Sequence, residues 1–228
     1  MIEVIERGTR GSGFYKVDLH MHTPHSYDYE KNPSKEDICK ELSKKGLDLV
    51  AITDHNSLRG DFVELSEIAE SYGVYVLPGV EISTPQGADR QIHMTGIFPQ
   101  DKYQVINHIL YNIGIDPDKP QSAQADHTIE AISKKIIEEN GIPILPHIDD
   151  KCGAHYELEK ENIIKEKVFK KEIFALGITD FETQEEYPNY AHIRSSDSHS
   201  LDTIGSRYCY LKMDTPSFEG VRLALADP

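Results

Sequence analysis

The chain has 228 residues, of which 28% are charged and 38% hydrophobic, and its formal net charge is −15 at pH 7. This length and composition fit one folded domain with a polar surface and exclude a chain that is disordered throughout. No apolar run approaches the ~18 residues of a membrane span, and the charged start lacks the apolar region of a signal peptide. The sequence therefore predicts a cytoplasmic protein without a membrane segment, and its acidity disfavours unassisted binding to phosphate backbones.

Apolar, β-branched runs alternate with helix-like segments along the chain. The runs predict β-strands at 15–21, 47–53, 74–82, 91–98, 142–145, 173–179, 192–196 and 208–213. The segments between them predict helices near 34–45, 60–72, 101–113, 128–140, 157–170 and 216–226. This alternation indicates βα units around a largely parallel sheet. We expect a single α/β domain over residues 1–228, a small TIM-like barrel, with an open doubly wound sheet as the alternative.

Histidines and carboxylates lie at or near the ends of these runs. The histidines are His20, His22, His55, His93, His147 and His199. Carboxyl ends of parallel strands meet at one face, so we expect the six to converge there. Because side chains two apart share a strand face, His20 with His22, and Asp197 with His199, could each chelate an ion. Glu81 closes another apolar run, where a buried carboxylate needs a cation.

Imidazole and carboxylate ligands without thiolate favour zinc, manganese or iron. Three cysteines without a CxxC motif argue against a disulfide framework and a thiolate site. Asp28 is interpreted as a ligand or a turn residue, and Asp18 and Asp54 as residues that orient imidazoles or cap strand ends. The histidines interpreted as ordinary surface or core residues are His108, His127, His155 and His192, and His25 is left outside the ligand set.

The order of these motifs resembles a known family. HxH followed by SYD, TDH, PGVE, an isolated strand histidine, PH and DSH, between Tyr15 and His199, is similar to the PHP (polymerase and histidinol phosphatase) phosphoesterases. The resemblance implies a distorted (β/α)7 barrel that holds up to three divalent metal ions and hydrolyses phosphoesters.

The resemblance also implies a ligand set. One ion would be held by His20, His22, Glu81 and Asp197. Glu81 would bridge to a second ion, completed by His93 and His147. The third ion would be held by Asp28, His55 and His199. Catalysis would then fall on Glu81, Asp197 and His199, with a hydroxide bridging two ions as the attacking group.

Residues that contact the substrate's phosphate are less clearly marked. Arg59, Arg90 and Arg194, together with Lys151, follow or flank predicted strand ends, and an arginine fits phosphate with two hydrogen bonds. Ordinary surface charge is the alternative for each of them.

The function expected from this resemblance is hydrolysis of a small phosphorylated metabolite or nucleotide. One alternative is a metal-dependent nuclease that acts on DNA or RNA, which the net charge disfavours. Another is a regulatory module of an ATPase, because the opening SGFYKVDLHMHTPHSYDY and the closing SFEGVRLALADP resemble the PHP module of TrlF-like ATPase proteins. An ATPase domain or subunit is the partner that this finer resemblance implies.

Overall fold

The computed structural model describes residues 12–58, 60–87, 91–150, 153–160 and 172–226. Its strands are β1 (Gly13–Met21), β2 (Leu49–Ile52), β3 (Tyr75–Ser83), β4 (His93–Ile97), β5 (Ile142–Leu145), β6 (Ala175–Gly177), β7 (Ala191–Ile193) and β8 (Cys209–Met213). The α-helices of the described part are α1 (Lys35–Lys44), α2 (Phe62–Ser71), α3 (Val105–Asn112), α4 (Ile129–Glu138), α5 (Ala154–Lys160), α6 (Phe181–Glu186) and α7 (Phe218–Ala226). None of these helices is long and apolar enough to cross a bilayer.

All eight strands form one sheet, in the order β7-β6-β5-β4-β3-β2-β1-β8. The sheet curls into a nearly closed barrel with helices between its strands, which confirms the predicted single-domain TIM-like fold. No hydrogen-bonded ladder joins β7 to β8 in the residues that the structure describes. We call this gap between the two end strands the seam.

The sheet is less uniformly parallel than the pattern predicts. Strands β1 to β3 are parallel to one another, and so are β5 to β7, but β4 is antiparallel to both its neighbours and β8 is antiparallel to β1. Alternating apolar runs do not encode direction, because a strand and its reverse bury the same faces. The reversal of β4 matters for the site, since it brings the amino end of this strand beside the carboxyl end of β3.

The barrel buries apolar side chains on both faces of its sheet. One cluster lines the inner face and includes Leu19, Leu49, Leu77, Ile97, Ile144 and Ile193, with Phe218, Val221 and Leu225 of α7 packed against it. The other joins the outer face to the helices through residues such as Val50, Val76, Met94, Ile38, Leu65, Ile109 and Ile132. Glu81 lies four residues after Leu77 on β3, so the two-residue period places it on the inner face.

Helix boundaries follow local signals where those signals are strong. At α1, the Ser34 hydroxyl accepts a hydrogen bond from the Asp37 backbone at 3.1 Å, and the Asp37 carboxylate accepts one from the Ser34 backbone. This reciprocal cap fixes the predicted start of the helix. The helix predicted at 157–170 begins earlier, at Ala154, and residues 161–170 lie outside the described part of the chain. Helix α6 was not predicted.

Candidate metal centre

Loops and strand ends bring all nine predicted ligands to one end of the barrel. His20 is the penultimate residue of β1, and the pairing of β1 with β2 shifts register between Asp18 and Met21. Backbone bonds beyond the strands position the rest: His22 donates to the Ser198 carbonyl and Asp197 to the His20 carbonyl. His93 opens the reversed strand β4 opposite Ser83, two residues beyond Glu81. His93 therefore reaches the site from a strand start.

Four side chains meet with the spacing of a tetrahedral ion site. The Nε2 atoms of His20 and His22 are 3.1 Å apart. His20 Nε2 lies 3.3 Å from Glu81 Oε2 and 3.2 Å from Asp197 Oδ1, and the corresponding distances from His22 Nε2 are 3.2 and 3.3 Å. Ligands held about 2.0–2.2 Å from a tetrahedral ion lie roughly 3.3–3.6 Å from one another. The observed separations are close to these values.

Glu81 also faces a second set of ring nitrogens with its other oxygen. Its Oε1 lies 2.8 Å from His93 Nδ1 and 3.1 Å from His147 Nε2. A third set surrounds Asp28, whose two oxygens lie 3.4 Å from His55 Nε2 and 3.3 Å from His199 Nε2. His55 Nδ1 in turn lies 3.1 Å from Glu81 Oε2. The three sets thus form one continuous cluster around Glu81.

Several ligand combinations are compatible with this geometry. His20, His22, Glu81 and Asp197 form one compact group, as predicted. Two other compact groups combine the ligands differently from the resemblance, namely His55 with Glu81 and His93, and His22 with His55 and His199. The assignment of individual side chains to individual ions therefore stays a prediction.

Hydrogen-bond directions show that two rings present lone pairs to the centre. His199 Nδ1 lies 3.0 Å from the Asp197 carbonyl, which can only accept, so Nδ1 carries the proton. At His22, the Ser26 hydroxyl donates to Asp54 and accepts from Nδ1 at 2.7 Å. In the neutral form of each ring, Nε2 is therefore the nitrogen with the lone pair, and it faces carboxylate oxygens in an arrangement that a cation would satisfy.

Buried atoms without hydrogen bonds support the same interpretation. Glu81 is only 1% exposed, yet its Oε2 makes no contact with hydrogen-bond geometry despite three nearby ring nitrogens. His199 Nε2 is likewise buried without a hydrogen bond. An unpaired buried carboxylate oxygen is costly, whereas coordination to a divalent ion uses its lone pairs. The donor set fits zinc, manganese or iron.

Two of the predicted ligands have an unusual backbone conformation. His147 has φ of 34° and Asp197 of 52°, in the left-handed region that non-glycine residues seldom adopt. Strand β7 ends at Ile193, earlier than predicted, so Asp197 and His199 lie on a loop. The two-residue strand period does not apply to them, and they join different ligand sets. Residues held in such conformations often belong to functional sites.

A buried carboxylate anchors the loop that follows His22. Asp54 accepts hydrogen bonds from the Thr23 backbone and hydroxyl, both at 2.7 Å, and from the Ser26 hydroxyl at 2.9 Å. Ser26 then contacts the His22 ring, so Asp54 orients this imidazole through one intermediate side chain. Asp18 instead accepts from the backbone of His20 and Ser196, as a strand-end cap would.

We expect Asp54→Ala to weaken metal binding about 10–100-fold, because loss of such supporting partners typically has this effect. The Ser26 hydroxyl would lose its acceptor and no longer fix the His22 ring. Metal dissociation constants from competition with a chromophoric chelator measure the change. Asp116→Asn, which alters an exposed carboxylate on the protein surface, is the matched control. Equal affinities for the two variants would contradict the supporting role of Asp54.

The carboxylates at the centre change the pKa values of the imidazoles around them. Burial alone would lower the pKa of His20, but Glu81 and Asp197 raise it well above its ordinary value. Burial also opposes protonation of His22, and the adjacent carboxylates of Asp197 and Glu81 raise its pKa to about 8. In the opposite sense, burial disfavours charge on Glu81, yet the surrounding imidazoles hold its pKa well below the usual range. Without metal, the cluster therefore retains protons at pH 7.

We expect divalent ions to displace these protons. The pKa of His22, raised to about 8, means that this ring is protonated below that pH in the metal-free protein, whereas a metal ligand must be neutral. Affinity should therefore increase from pH 6 to pH 8, by about tenfold per pH unit for each proton displaced, and level off above the pKa. Isothermal titration of chelator-treated protein with Zn²⁺, in two buffers of different ionisation enthalpy, measures the protons released. An affinity that does not depend on pH would contradict this prediction.

The structure describes one of the four residues predicted to contact phosphate, and that residue, Arg194, does not line the cavity beside the ligands. Arg59, Arg90 and Lys151 lie outside the described residues. Arg194 donates to the Thr179 carbonyl at 3.2 Å, and its guanidinium lies 4.6 Å from the ring centre of Phe181. It lines a cavity of the seam and not the cavity beside the ligands, which its neighbours Ile193 and Ser195 line.

Sequence reasoning missed several residues around the centre. Ser26 and Thr23 connect Asp54 to the ligand loop, and Tyr27 stacks on the His55 ring with 5.3 Å between centroids. Arg207 lines the cavity that His20, His147 and Asp197 also line. His25, left outside the ligand set, pairs with Asp61 at 2.6 Å. The SYD motif gave a signal for the loop, but nothing in the sequence marked Arg207.

Comparison with known proteins finds a family model and a related sequence. The family model of the PHP domain matches residues 18–176. An uncharacterized protein of Methanocaldococcus jannaschii, MJ1587, is 34% identical over 142 residues, which are 58% of this chain and 67% of that protein.

Solved structures resemble the fold at low sequence identity. The lesion-specific endonuclease EndoQ of Pyrococcus furiosus superimposes with a TM-score of 0.73 at 17% identity, over 94% of this chain and 56% of that one. The chain thus spans little more than half the length of the endonuclease. A protein of Bifidobacterium adolescentis assigned as a metal-dependent phosphoesterase superimposes with a TM-score of 0.64 at 15% identity, over 92% and 95% of the two chains. With the family model covering most of the chain and the motifs assembled in one place, the chain belongs to the PHP domain family of metal-dependent phosphoesterases.

Proposed function

We propose that this protein hydrolyses phosphoester bonds at a centre of two or three divalent ions, with zinc, manganese or iron as the metal. The observation that carries the proposal is the near-tetrahedral spacing of His20, His22, Glu81 and Asp197. Two further ligand sets adjoin this group through Glu81. Membership of the PHP family supports the reaction class.

The ions would be held as the resemblance to the PHP phosphoesterases implies: by His20, His22, Glu81 and Asp197 at the first position, by His93 and His147 with Glu81 at the second, and by Asp28, His55 and His199 at the third. Divalent ions supply Lewis acidity at such a centre, because they offset phosphoryl charge and lower the pKa of bound water to about 7. They would also reverse the local sign of an acidic protein.

Three side chains of the centre, those of Glu81, Asp197 and His199, determine its geometry. Glu81 directs one carboxylate oxygen to each of two nitrogen sets, so it fixes the distance between two ion positions. Asp197 binds on the side that opens to solvent, with 35% of its side chain exposed, and the Asp197 carbonyl keeps the proton on His199 Nδ1. We therefore assign the catalytic roles to Glu81, Asp197 and His199.

The proposed substrate is a small phosphorylated metabolite or nucleotide. A net charge of −15 opposes a long run of backbone phosphates, whereas a single phosphoryl group needs compensation only at the centre itself. Cytoplasmic location, a single PHP domain and an ATPase partner stay predictions from the sequence and its TrlF-like resemblance.

Hydrolysis of 4-nitrophenyl phosphate and bis(4-nitrophenyl) phosphate by protein loaded with Mn²⁺, Zn²⁺ or Fe²⁺ tests the proposal. We expect activity that chelation abolishes and metal restores, and His20→Ala should remove both activity and bound metal. His108→Ala, an exposed histidine on α3 that contacts Asn112, is the matched control. A metal-loaded protein that cleaves neither ester nor an oligonucleotide would overturn the catalytic reading and favour the regulatory module.

A nuclease is the second candidate, because the solved structure with a TM-score of 0.73 is an endonuclease. Binding to nucleic acid that neutralises several phosphates weakens steeply with salt. Cleavage of an oligonucleotide should then decline sharply between 50 and 200 mM salt, while cleavage of 4-nitrophenyl phosphate should change little. Cleavage of oligonucleotides at rates well above those of the small esters would favour the nuclease.

A further inference from the structure

Arg207 differs from the other arginines that the structure describes. Arg222 pairs with Glu219 on α7, and Arg194 bonds to a backbone carbonyl. Arg207 is exposed and makes no ion pair with any described residue, although the chain has 39 acidic side chains. Its guanidinium is therefore available to an anionic ligand.

The position of Arg207 links two cavities. One lies beside the ligand cluster and is also lined by His20, His147 and Asp197. The other lies in the seam, where Arg207 is joined by Phe181 and Tyr208. Ile178 and Arg207 line both cavities, so the two adjoin at this arginine.

The two cavities differ in size, so they can hold different parts of a substrate. The cavity beside the ligands measures about 20 Å³, enough for roughly one oxygen-sized group. The seam cavity measures about 520 Å³, within the range of small-molecule sites. Phe181 is 63% exposed there and Tyr208 38%, and exposed aromatic rings stack on flat ligands.

Resting on the proposed function, we propose that Arg207 binds the phosphoryl group of the substrate and that the seam cavity holds an aromatic ring carried by the alcohol esterified to it. The substrate class is then a phosphoester whose alcohol contains an aromatic or heteroaromatic ring, as in an aryl phosphate or in a nucleotide, where the sugar joins the phosphate to the base. A guanidinium can donate two parallel hydrogen bonds to phosphoryl oxygens. Phe181 and Tyr208 would contact the ring.

Isothermal titration calorimetry of Zn²⁺-loaded protein with inorganic phosphate and with phenyl phosphate tests both parts of this proposal. Inorganic phosphate has no ester bond, so its binding is measured without turnover. We expect Arg207→Gln to weaken binding of either probe about 10–100-fold, as for loss of a charge-assisted hydrogen bond, and Arg207→Lys to recover part of it. Phe181→Ala should weaken phenyl phosphate several-fold and leave inorganic phosphate unchanged. Metal content, measured by elemental analysis, should stay constant in all variants.

The controls are Arg222→Gln and Tyr111→Ala, which change an exposed arginine and an exposed aromatic ring elsewhere on the protein. Unchanged phosphate binding in Arg207→Gln would overturn the role of Arg207, and an equal loss of both probes in Phe181→Ala would overturn that of the seam. If the wild-type protein binds phosphate but hydrolyses no ester, the proposed function fails while the binding result still tests Arg207.

Discussion

Glu81→Gln should abolish most of the activity and lower the bound metal. The substitution keeps the size of the side chain but replaces one oxygen by an amide nitrogen, which has no lone pair for an ion. In one orientation of the amide, nitrogen replaces the oxygen that faces His93 and His147. In the other orientation, it replaces the oxygen that faces His20 and His22. Because Lewis acidity contributes several kcal/mol to such reactions, we expect kcat/KM to decrease on the order of 10³-fold.

Steady-state kinetics on 4-nitrophenyl phosphate and elemental analysis of the same sample measure this result together. Glu67→Gln, an exposed glutamate on α2, is the matched control and should leave both quantities unchanged. Circular dichroism would show whether the Glu81 variant remains folded. A folded variant with full metal content and near-normal kcat/KM would contradict the central position of Glu81.

We expect Gly177→Ala to displace the loop that carries His147. An added Cβ at this position in β6 would lie 2.9 Å from the His147 nitrogen and 2.9 Å from the Pro146 Cα. These are backbone atoms that cannot rotate away, so the loop with His147 must shift. Overpacking of this kind costs about 1–3 kcal/mol, which corresponds to a Tm lower by about 2–12 °C in a chain of this size. We also expect weaker binding of the ion that His147 would hold.

Gly60→Ala provides the control, because nothing lies within 4 Å of a Cβ added there. Differential scanning calorimetry of both variants, with and without Zn²⁺, separates loss of packing from loss of metal. If Gly177→Ala melts like the wild type and binds the same amount of metal, the close approach of β6 to the His147 loop is not important for the site.

The strands of this fold could be predicted from sequence because each of them overlaps an apolar run that is bounded by turn residues or by a helix-like segment. Ile142–Leu145 was predicted with its exact bounds. Helix α6 was missed because its six residues contain no apolar repeat, although Asp180 caps it through the Glu182 backbone at 3.1 Å. The direction of β4 could not be predicted, since it depends on pairing with β3 and β5 and not on local pattern.

The cluster of histidines and carboxylates could be predicted because these residues recur at the ends of apolar runs. Their geometry could not be predicted, as the left-handed backbone at His147 and Asp197 depends on tertiary contacts. The role of Asp54 was left open because a carboxylate that reaches His22 through Ser26 has no sequence signature. Arg207 was missed for a similar reason, since its position at the seam depends on how the barrel ends meet.

The incomplete closure of the barrel would give bound ions a mechanical role. At the end of the seam nearest the metal centre, the loop after β7 crosses to β1. There the backbone N–H of Asp197 donates to the His20 carbonyl at 2.9 Å, and the backbone N–H of His22 donates to the Ser198 carbonyl at 3.0 Å. An ion bound by both His20 and Asp197 would cross-link the barrel at this point, because it would join β1 to the segment that follows β7. Chelation should then accelerate deuterium exchange at the amides of His22 and Asp197 far more than at those of β2 and β3, so that catalysis and barrel closure depend on the same cation.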